Sequence, residues 1–319
     1  MIASEPSMKF RSLSLIFACS SVFAQVQFVR SPDRVAIEIG GRPFSTFFLG
    51  ADAGKPYLFP LRAPSGTQVT RHFPMETVAG ESHDHPHQRG VFFAHENVNG
   101  IDFWNNELTY KKPGLGRILL DKVVTVRNGK TSGKLRALFH WKNPDGKLLL
   151  VEDRTMVFYD DPANRIVDFD ITLSAPGERV VFGDAKDGAF GIRLADVLRE
   201  DKGSGHIVNA DGEHGEAAAW GHRSNWVDYS GAIGGEKLGV AIFDNPGNFR
   251  HSERWHVRGY GLFAVNPFGN QVFDKNAPKQ ETVIEKGKSL RYRWRVVIHP
   301  GDAESARIAD LYQRYVNGR

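Results

Sequence analysis

Four histidines lie close together in residues 82–104, which read SHDHPHQRGVFFAHENVNGIDFW. In an extended chain alternate residues point to one face, so His83, His85 and His87 would present three imidazoles together. Such a set could bind a transition metal such as zinc. It could equally bind a hydroxylated ligand, because a neutral imidazole both donates and accepts hydrogen bonds. A structural corner, in which the imidazoles bond backbone carbonyls, is the third interpretation.

The rest of this segment favours a sugar as the ligand. Trp104 could stack on the apolar face of a sugar ring, with Arg89, Asn99 and Asp102 at its hydroxyl groups. Packing of Trp104 in the core is the alternative. His87 or His95 would act as the general acid. We expect His85 and His87 to be buried, because Pro86 and a Val-Phe-Phe run adjoin them.

Two distant segments carry further polar chemistry among glycines and aromatic residues. Residues 182–196 contain Lys186, Asp187 and Arg193, and residues 248–269 contain Glu253, His256 and Arg258. Asp187 or Glu253 is the predicted general base, and the four other side chains would position the ligand. We expect the histidines of residues 82–104 to share one cleft with Lys186, Asp187, His256 and Arg258. The sequence contains neither a phosphate-binding Gly-Lys loop nor a Gly-x-Ser-x-Gly elbow.

Alternating apolar and polar residues predict strands along most of the chain. Clear examples are Arg34–Ile39, Lys134–Trp141, Lys147–Tyr159 and Arg165–Leu173, the second and third being joined by the turn Asn143–Gly146. One helix is predicted after Pro300, with Asp302 as its N-cap and Val316 near its end. These patterns indicate an all-β fold of two packed antiparallel sheets with a C-terminal helix and less than about a fifth helix.

Composition describes a globular protein of one domain. The chain has 319 residues, of which 41% are hydrophobic and 24% charged, and no long apolar run that would span a bilayer appears after the N-terminus. The formal net charge of +4 is small and scattered, which argues against nucleic acid as a partner.

The N-terminus has the pattern of a secretory signal. Lys9 and Arg11 precede an apolar run that ends in Val22-Phe23-Ala24, a small-residue cleavage site. We therefore predict a signal peptide over residues 1–24, a single β-supersandwich domain over residues 25–319, and a periplasmic or secreted location. Lipoprotein anchoring at Cys19 is the alternative; after cleavage at Ala24 the mature chain has no cysteine.

Three motifs support a family resemblance that spans about Pro56 to His299. The segments HDHPHQRGVFFAHENVNGIDFW, DGAFGIRLAD and RWHVRGYGLFAVNPFG resemble a family of secreted bacterial proteins of unknown function labelled methane oxygenase PmoA. That family is similar to the galactose-mutarotase-like β-supersandwich group, whose members act on or bind carbohydrates. The resemblance implies this fold and a small-molecule carbohydrate as partner, with histidines and a carboxylate around the sugar ring.

Three functions remain open from the sequence. The first is an exported carbohydrate-active enzyme, a hydrolase, lyase or epimerase that uses histidine and carboxylate acid–base chemistry without a cofactor. The second is an enzyme that binds a divalent transition metal through His83, His85 and His87. The third is a sugar-binding module without catalysis. The sequence does not predict the oligomeric state.

Overall fold

The computed structural model describes Met1, residues 25–50 and residues 52–318. Residues 2–24 of the predicted signal peptide, including Cys19, lie outside the described residues, so this part of the domain assignment stays a prediction. Within the described part of the chain, no helix is long and apolar enough to cross a membrane.

The described chain is built almost entirely of strands. In chain order these are β1 (Val26–Arg30), β2 (Arg34–Ile39), β3 (Arg42–Phe48), β4 (Tyr57–Phe59), β5 (Val91–His95), β6 (Arg117–Arg127), β7 (Ser132–Lys142), β8 (Leu148–Asp160), β9 (Arg165–Ser174), β10 (Val180–Phe182), β11 (Gly188–Arg193), β12 (His206–Asn209), β13 (Trp226–Ile233), β14 (Glu236–Asp244), β15 (Arg254–Val257), β16 (Leu262–Asn266), β17 (Thr282–Ile284) and β18 (Ser289–Pro300). The helices are α1 (Glu216–Ala219) and α2 (Ile308–Val316), with one turn of 3-10 helix at Asp196–Leu198.

Two eight-stranded antiparallel sheets form the fold. The first sheet has the order β1-β2-β3-β4-β5-β11-β16-β15, and the second has the order β12-β13-β14-β18-β9-β8-β7-β6. Strands β10 and β17 pair separately. Strands account for 46% of the chain and helices for 5%. The predicted all-β, two-sheet fold with little helix is therefore confirmed.

The alternation in the sequence matches the burial of the strands. In β9, Val167, Phe169, Ile171 and Leu173 are buried, whereas Asp168 and its outward neighbours are partly exposed. The turn Asn143–Gly146 joins β7 to β8, as its sequence predicts. Period-two patterning works here because one face of each strand meets the core and the other meets solvent.

An aromatic layer joins the two sheets at the centre of the domain. Phe93 of β5 lies 5.8 Å from the rings of both Trp141 (β7) and Trp294 (β18), and Phe190 of β11 stacks on Trp294 at 5.1 Å. All four side chains are buried. This packing fixes β5 and β11 from the inside, so their outer faces form a rigid support.

The C-terminal helix is shorter than the sequence predicts. It begins at Ile308, after Arg307 in the left-handed conformation, and Asp302 is not its N-cap. The Asp302 carboxylate instead accepts hydrogen bonds from the Ser305 backbone and hydroxyl, which closes a separate turn. The prediction of the start is wrong because a carboxylate can cap a single turn as well as a helix. The helix packs Ile308 and Tyr312 on the second sheet.

Candidate functional site

Side chains from the three predicted segments line one cavity on the outer face of the first sheet. The cavity measures about 340 Å³. Its lining residues are His85, His87, Gln88, Trp104, Asn105, Lys186, Asp187, His256, Arg258 and Tyr260. Six of the residues predicted to share one cleft are therefore in contact with the same space, although up to 173 positions of sequence separate them (His85 to Arg258).

Small residues on adjacent strands leave room for the aromatic rings beside this cavity. Strand pairing places His256 of β15 beside Ala264 of β16, Ala264 beside Gly191 of β11, and Gly191 beside Phe92 of β5. A Cβ atom at Gly191 would lie 3.1 Å from the Phe92 ring and 3.2 Å from the Trp104 ring. The rings of Phe92 and Trp104 thus lie over Gly191, and Trp104 extends this surface into the cavity.

A side chain at Gly191 is expected to weaken ligand binding. Because a Cβ atom there would already press on the rings of Phe92 and Trp104, Gly191→Val should displace Trp104, which lines the cavity, with affinity for a bound sugar falling at least about tenfold. Isothermal titration calorimetry measures the effect. Gly177→Val is the control, since nothing lies within 4 Å of a Cβ there. Unchanged affinity in Gly191→Val would place the ligand elsewhere.

The histidine-rich segment forms a turn, not the extended strand that the alternation suggests. The Gln88 amide donates to the His85 carbonyl at 2.9 Å, and Pro86 occupies the second position of this turn. His85 has a φ of +43°, so the three imidazoles do not face one side. Proline favours this turn position because its fixed φ suits it. His83 instead stacks on Phe73 at 4.6 Å and does not line the cavity.

This geometry does not support a three-histidine metal site. Within the described chain, no group of three or more His, Cys, Asp or Glu side chains has a metal-binding arrangement. His83 is stacked on Phe73, whereas His87 Nδ1 lies 3.2 Å from the Tyr110 hydroxyl. His85 stacks on Tyr260 with ring centroids 5.1 Å apart.

The two cavity histidines of this turn differ in exposure. The His85 side chain is 41% exposed, so the expected burial holds only for His87. Burial lowers the pKa of His87 to about 2, and the positive charges of Lys55, Arg71 and Arg193 act in the same direction. His87 is therefore a neutral imidazole at physiological pH, able to donate one hydrogen bond and accept another.

Acidification is expected to destabilise the protein through His87. The unfolded histidine takes up a proton near pH 6.5, whereas the folded one resists it down to a pKa of about 2. Between these values the unfolded state binds more protons, so the free energy of unfolding should fall with pH by up to about 1.4 kcal/mol per unit. Urea unfolding at pH 7, 6 and 5 measures the slope.

A matched pair of variants separates His87 from the other histidines. His87→Gln should flatten the slope by about one proton, whereas His214→Gln, at an exposed position, should leave it unchanged. Equal slopes for His87→Gln and the parent protein would show that His87 titrates like a solvated histidine.

Asp187 stands between a cation and an imidazole at the start of β11. Its Oδ2 accepts a hydrogen bond from Lys186 Nζ at 2.8 Å, and its Oδ1 lies 3.7 Å from His256 Nδ1. His256 is buried, and burial lowers its pKa to about 4 against the opposing charge of Asp187. Burial, followed by repulsion from Asp187, raises the pKa of the adjacent Glu96 to about 7. Asp187 Oδ1 thus lies beside a neutral imidazole.

Two buried arginines hold the histidine turn from behind. Arg193 Nη2 donates to Asp84 Oδ1 at 2.7 Å, and Arg71 Nη1 contacts the same oxygen. Arg193 Nη1 also donates to Gln88 Oε1 at 2.7 Å, and its guanidinium lies 4.7 Å from the centroid of the Tyr260 ring. Arg193 therefore does not line the cavity but fixes two residues that do.

Two of the predicted catalytic residues lie outside the cavity. His95 is fully buried, with Nε2 2.8 Å from the Gly183 carbonyl and the Phe268 ring at 4.9 Å. Glu253 is also fully buried, and its Oε2 accepts a hydrogen bond from Trp294 Nε1 at 3.0 Å. Burial and the nearby Asp244 raise the pKa of Glu253 well above its usual range. His95 points into the interior because inward and outward positions alternate along β5, whereas Glu253 directly precedes β15.

The three polar residues and the one aromatic residue predicted around a sugar ring mainly contact other groups of the protein. Arg89 forms a bidentate pair with Glu107, and Asn99 Oδ1 accepts from the Val181 amide at 2.7 Å. Asp102 accepts hydrogen bonds from the amides of Trp104 and Asn105. Trp104 is 1% exposed and packs on Phe92 at 4.8 Å, so it is mostly core with one edge in the cavity. Arg89, Asn99 and Asp102 do not line it.

Sequence reasoning missed Gln88, Asn105 and Tyr260, which also line the cavity. Gln88 and Tyr260 lie within the motifs of the family resemblance, and Asn105 directly follows the first of these motifs. Their types alone are common in loops, so only the neighbouring histidines and Arg258 could have indicated them. Lys55 was missed as well: it is buried, donates to the Trp104 carbonyl at 2.7 Å, and burial lowers its pKa to about 7.

A larger cleft of about 980 Å³ lies on the outer face of the second sheet, between β8, β9, β18 and α2. Its charged groups are largely paired with one another, as in the bidentate pairs Arg295–Asp168 and Arg291–Asp170. No histidine is among the described residues that line it. The smaller cavity combines two neutral imidazoles with a carboxylate, so we assign the candidate site there.

Comparisons with solved structures give similar folds at low sequence identity. A galactose mutarotase-like protein from Clostridium acetobutylicum has a TM-score of 0.42 and 8% identity, over 87% of this chain and 99% of that one. A galactose mutarotase related enzyme from Lactobacillus acidophilus has a TM-score of 0.37 and 9% identity, over 86% and 97% of the chains. A putative aldose 1-epimerase from Escherichia coli K12 has a TM-score of 0.36 and 9% identity, over 86% and 99%.

A family model covers most of the chain. It matches residues 34–313, and its description is a family of unknown function. No curated protein matches the chain. The family description carries no methane oxygenase label, so the predicted resemblance is confirmed for a family of unknown function and for structural similarity to galactose mutarotase-like proteins. The chain belongs to the family of unknown function DUF6807.

Proposed function

We propose that the protein is an exported carbohydrate-active enzyme that binds one sugar in the cavity and moves protons with Asp187 and the cavity histidines. The observation that supports this most is the lining itself. Two neutral imidazoles, two amides, a carboxylate, two cations and two aromatic rings meet in this lining. A sugar ring needs both hydrogen-bond donors and acceptors at its rim and apolar contact at its face.

The size of the cavity favours a single ring. Ligand cavities in proteins measure roughly 300–1,000 Å³, and about 340 Å³ lies near the lower end of that range. A long polysaccharide would need a groove that continues beyond the site. We therefore propose a monosaccharide, or one terminal residue of a glycoside, as the bound group.

The composition of the site favours epimerase or lyase chemistry over hydrolysis. Glycoside hydrolysis commonly uses two carboxylates on either side of the bond. Among the described residues that line the cavity, Asp187 is the one carboxylate. Asp187 would accept a proton from the sugar, and the neutral His87 would donate a hydrogen bond to the oxygen that gains charge. His95 and Glu253 are left out of this proposal because neither reaches the cavity.

A panel of sugars tests the proposal. Aldoses, uronic acids and glycosides would be offered to the purified protein, with anomer exchange and epimerisation followed by NMR and elimination by the absorbance of the unsaturated product. Turnover of any panel member supports the enzyme. Saturable binding without turnover would favour a sugar-binding module, and neither binding nor turnover would contradict both functions.

A further inference from the structure

The side chains around the cavity carry more positive than negative charge. Arg71 and Arg193 have fully buried side chains, yet they share one carboxylate, that of Asp84. A buried guanidinium is stable only when nearby negative charge and hydrogen bonds replace its hydration. Asp196 contributes at longer range, but its own oxygens accept hydrogen bonds from Ser82. One of these two buried guanidinium groups therefore has no carboxylate in contact besides the one that it shares.

The lining of the cavity itself also contains more cationic than anionic side chains. Its charged side chains are Lys186, Arg258 and Asp187, which is two cations against one carboxylate. Lys186 uses one of its three donors on Asp187 and is 47% exposed.

Arg258 lines the cavity and forms an ion pair through its Nε. Its Nε is 2.7 Å from Glu216 Oε1 but is not aligned for a hydrogen bond, and both side chains are about one-third exposed. The guanidinium also lies over the Tyr260 ring, at 5.6 Å from the centroid. Within the described chain, the two terminal nitrogens of Arg258 donate to no other side chain or carbonyl. The planar fork is thus free to bind an acceptor in the cavity.

We propose that the ligand of this cavity is an acidic sugar, a uronic acid, whose carboxylate binds between Arg258 and Lys186. This inference rests on the proposed function and names its substrate class. A guanidinium and a carboxylate match in geometry and form paired, charge-assisted hydrogen bonds. The ligand carboxylate would supply the negative charge that the cavity wall and the buried arginines lack. Tyr260, which contacts both Arg193 and Arg258, links the two layers.

The behaviour of His87 supports a positive field inside the cavity. After burial, the four charges that act most on its pKa are Lys55, His85, Arg71 and Arg193, and all four lower it. The same field that disfavours an imidazolium favours an anion.

Calorimetry with matched ligands tests the inference. D-galacturonate and D-glucuronate would be compared with their methyl esters, which have nearly the same shape without the charge, and with D-galactose and D-glucose. We expect at least one uronate to bind at least about tenfold more tightly than its ester, and its affinity to fall as sodium chloride rises from about 50 to about 500 mM. Sugar phosphates of the same hexoses form a further arm, since phosphate is also an anion that arginine binds.

Variants assign the preference to the two cations. Arg258→Gln and, separately, Lys186→Gln should each reduce the preference for the uronate over its ester at least about threefold, while Lys202→Gln, at an exposed position, should leave it unchanged. Both cations are partly exposed, so we expect the variants to fold, and thermal unfolding checks this.

The outcomes separate this inference from the proposed function. Equal affinity for uronates, esters and neutral hexoses would overturn the acidic-sugar inference and leave a neutral sugar as the ligand of the proposed enzyme. Binding of sugar phosphates alone would overturn the carboxylate assignment. Failure of every sugar to bind would remove both the proposed function and the inference.

Discussion

Asp187→Asn is expected to lower the turnover number by about 100- to 10,000-fold, the usual contribution of a general base. Asparagine keeps the shape of the side chain and can still accept a hydrogen bond from Lys186, so sugar affinity should change only a few-fold. What the variant loses is the ability to take a proton. The measurement is turnover of whichever panel sugar the parent protein converts, with binding measured separately by calorimetry.

Two further measurements make this expectation specific. Asp211→Asn, at an exposed turn, is the matched control and should keep full turnover. The pKa of Glu96, which repulsion from Asp187 helps to raise to about 7, should decrease in Asp187→Asn and give a structural readout at the same site. Unchanged turnover in Asp187→Asn would show that the proton is taken by another group. A loss of binding equal to the loss of turnover would indicate a positioning role instead.

The sequence predicts the parts of this protein that depend on local patterns. The strand β9 is one case: its apolar residues from Val167 to Leu173 alternate and are buried as predicted. The sequence also predicts that polar side chains of three segments, residues 82–104, 182–196 and 248–269, share one cleft. Such side chains are costly to bury among aromatic strands unless they serve one site.

The sequence could not predict the direction in which individual side chains point. The His-x-His-x-His alternation predicts one face only for an extended chain, and the turn closed by Gln88 removes that condition. His95 is a similar case, because a shift of one residue along a strand such as β5 exchanges one face of the sheet for the other. The pairing of Gly191 with Phe92 and Ala264, which makes room for the rings of Phe92 and Trp104, arises from contacts between strands that no local pattern contains.

Arg193→Met is expected to lower the free energy of unfolding by about 3 kcal/mol, the lower range for breaking a buried ion pair, and to weaken sugar binding as well. Methionine fills much of the same volume but cannot donate to Asp84 Oδ1 or Gln88 Oε1. Asp84 keeps Arg71 as a partner, so the chain should still fold. Gln88 and Tyr260, however, lose the group that holds them in the cavity wall, and binding should fall at least about tenfold.

A second buried arginine serves as the control. It tests whether a loss of stability by itself weakens sugar binding. Arg154 is 2% exposed and donates to the buried Glu152 at 2.6 Å, with the rings of Phe47 and Phe139 beside it and no contact with the cavity. Arg154→Met should therefore destabilise the fold by a similar amount and leave sugar affinity unchanged, when both are measured well below the melting temperature. If Arg193→Met also kept its affinity, the buried arginines would support only the fold, and the cavity wall would not depend on them.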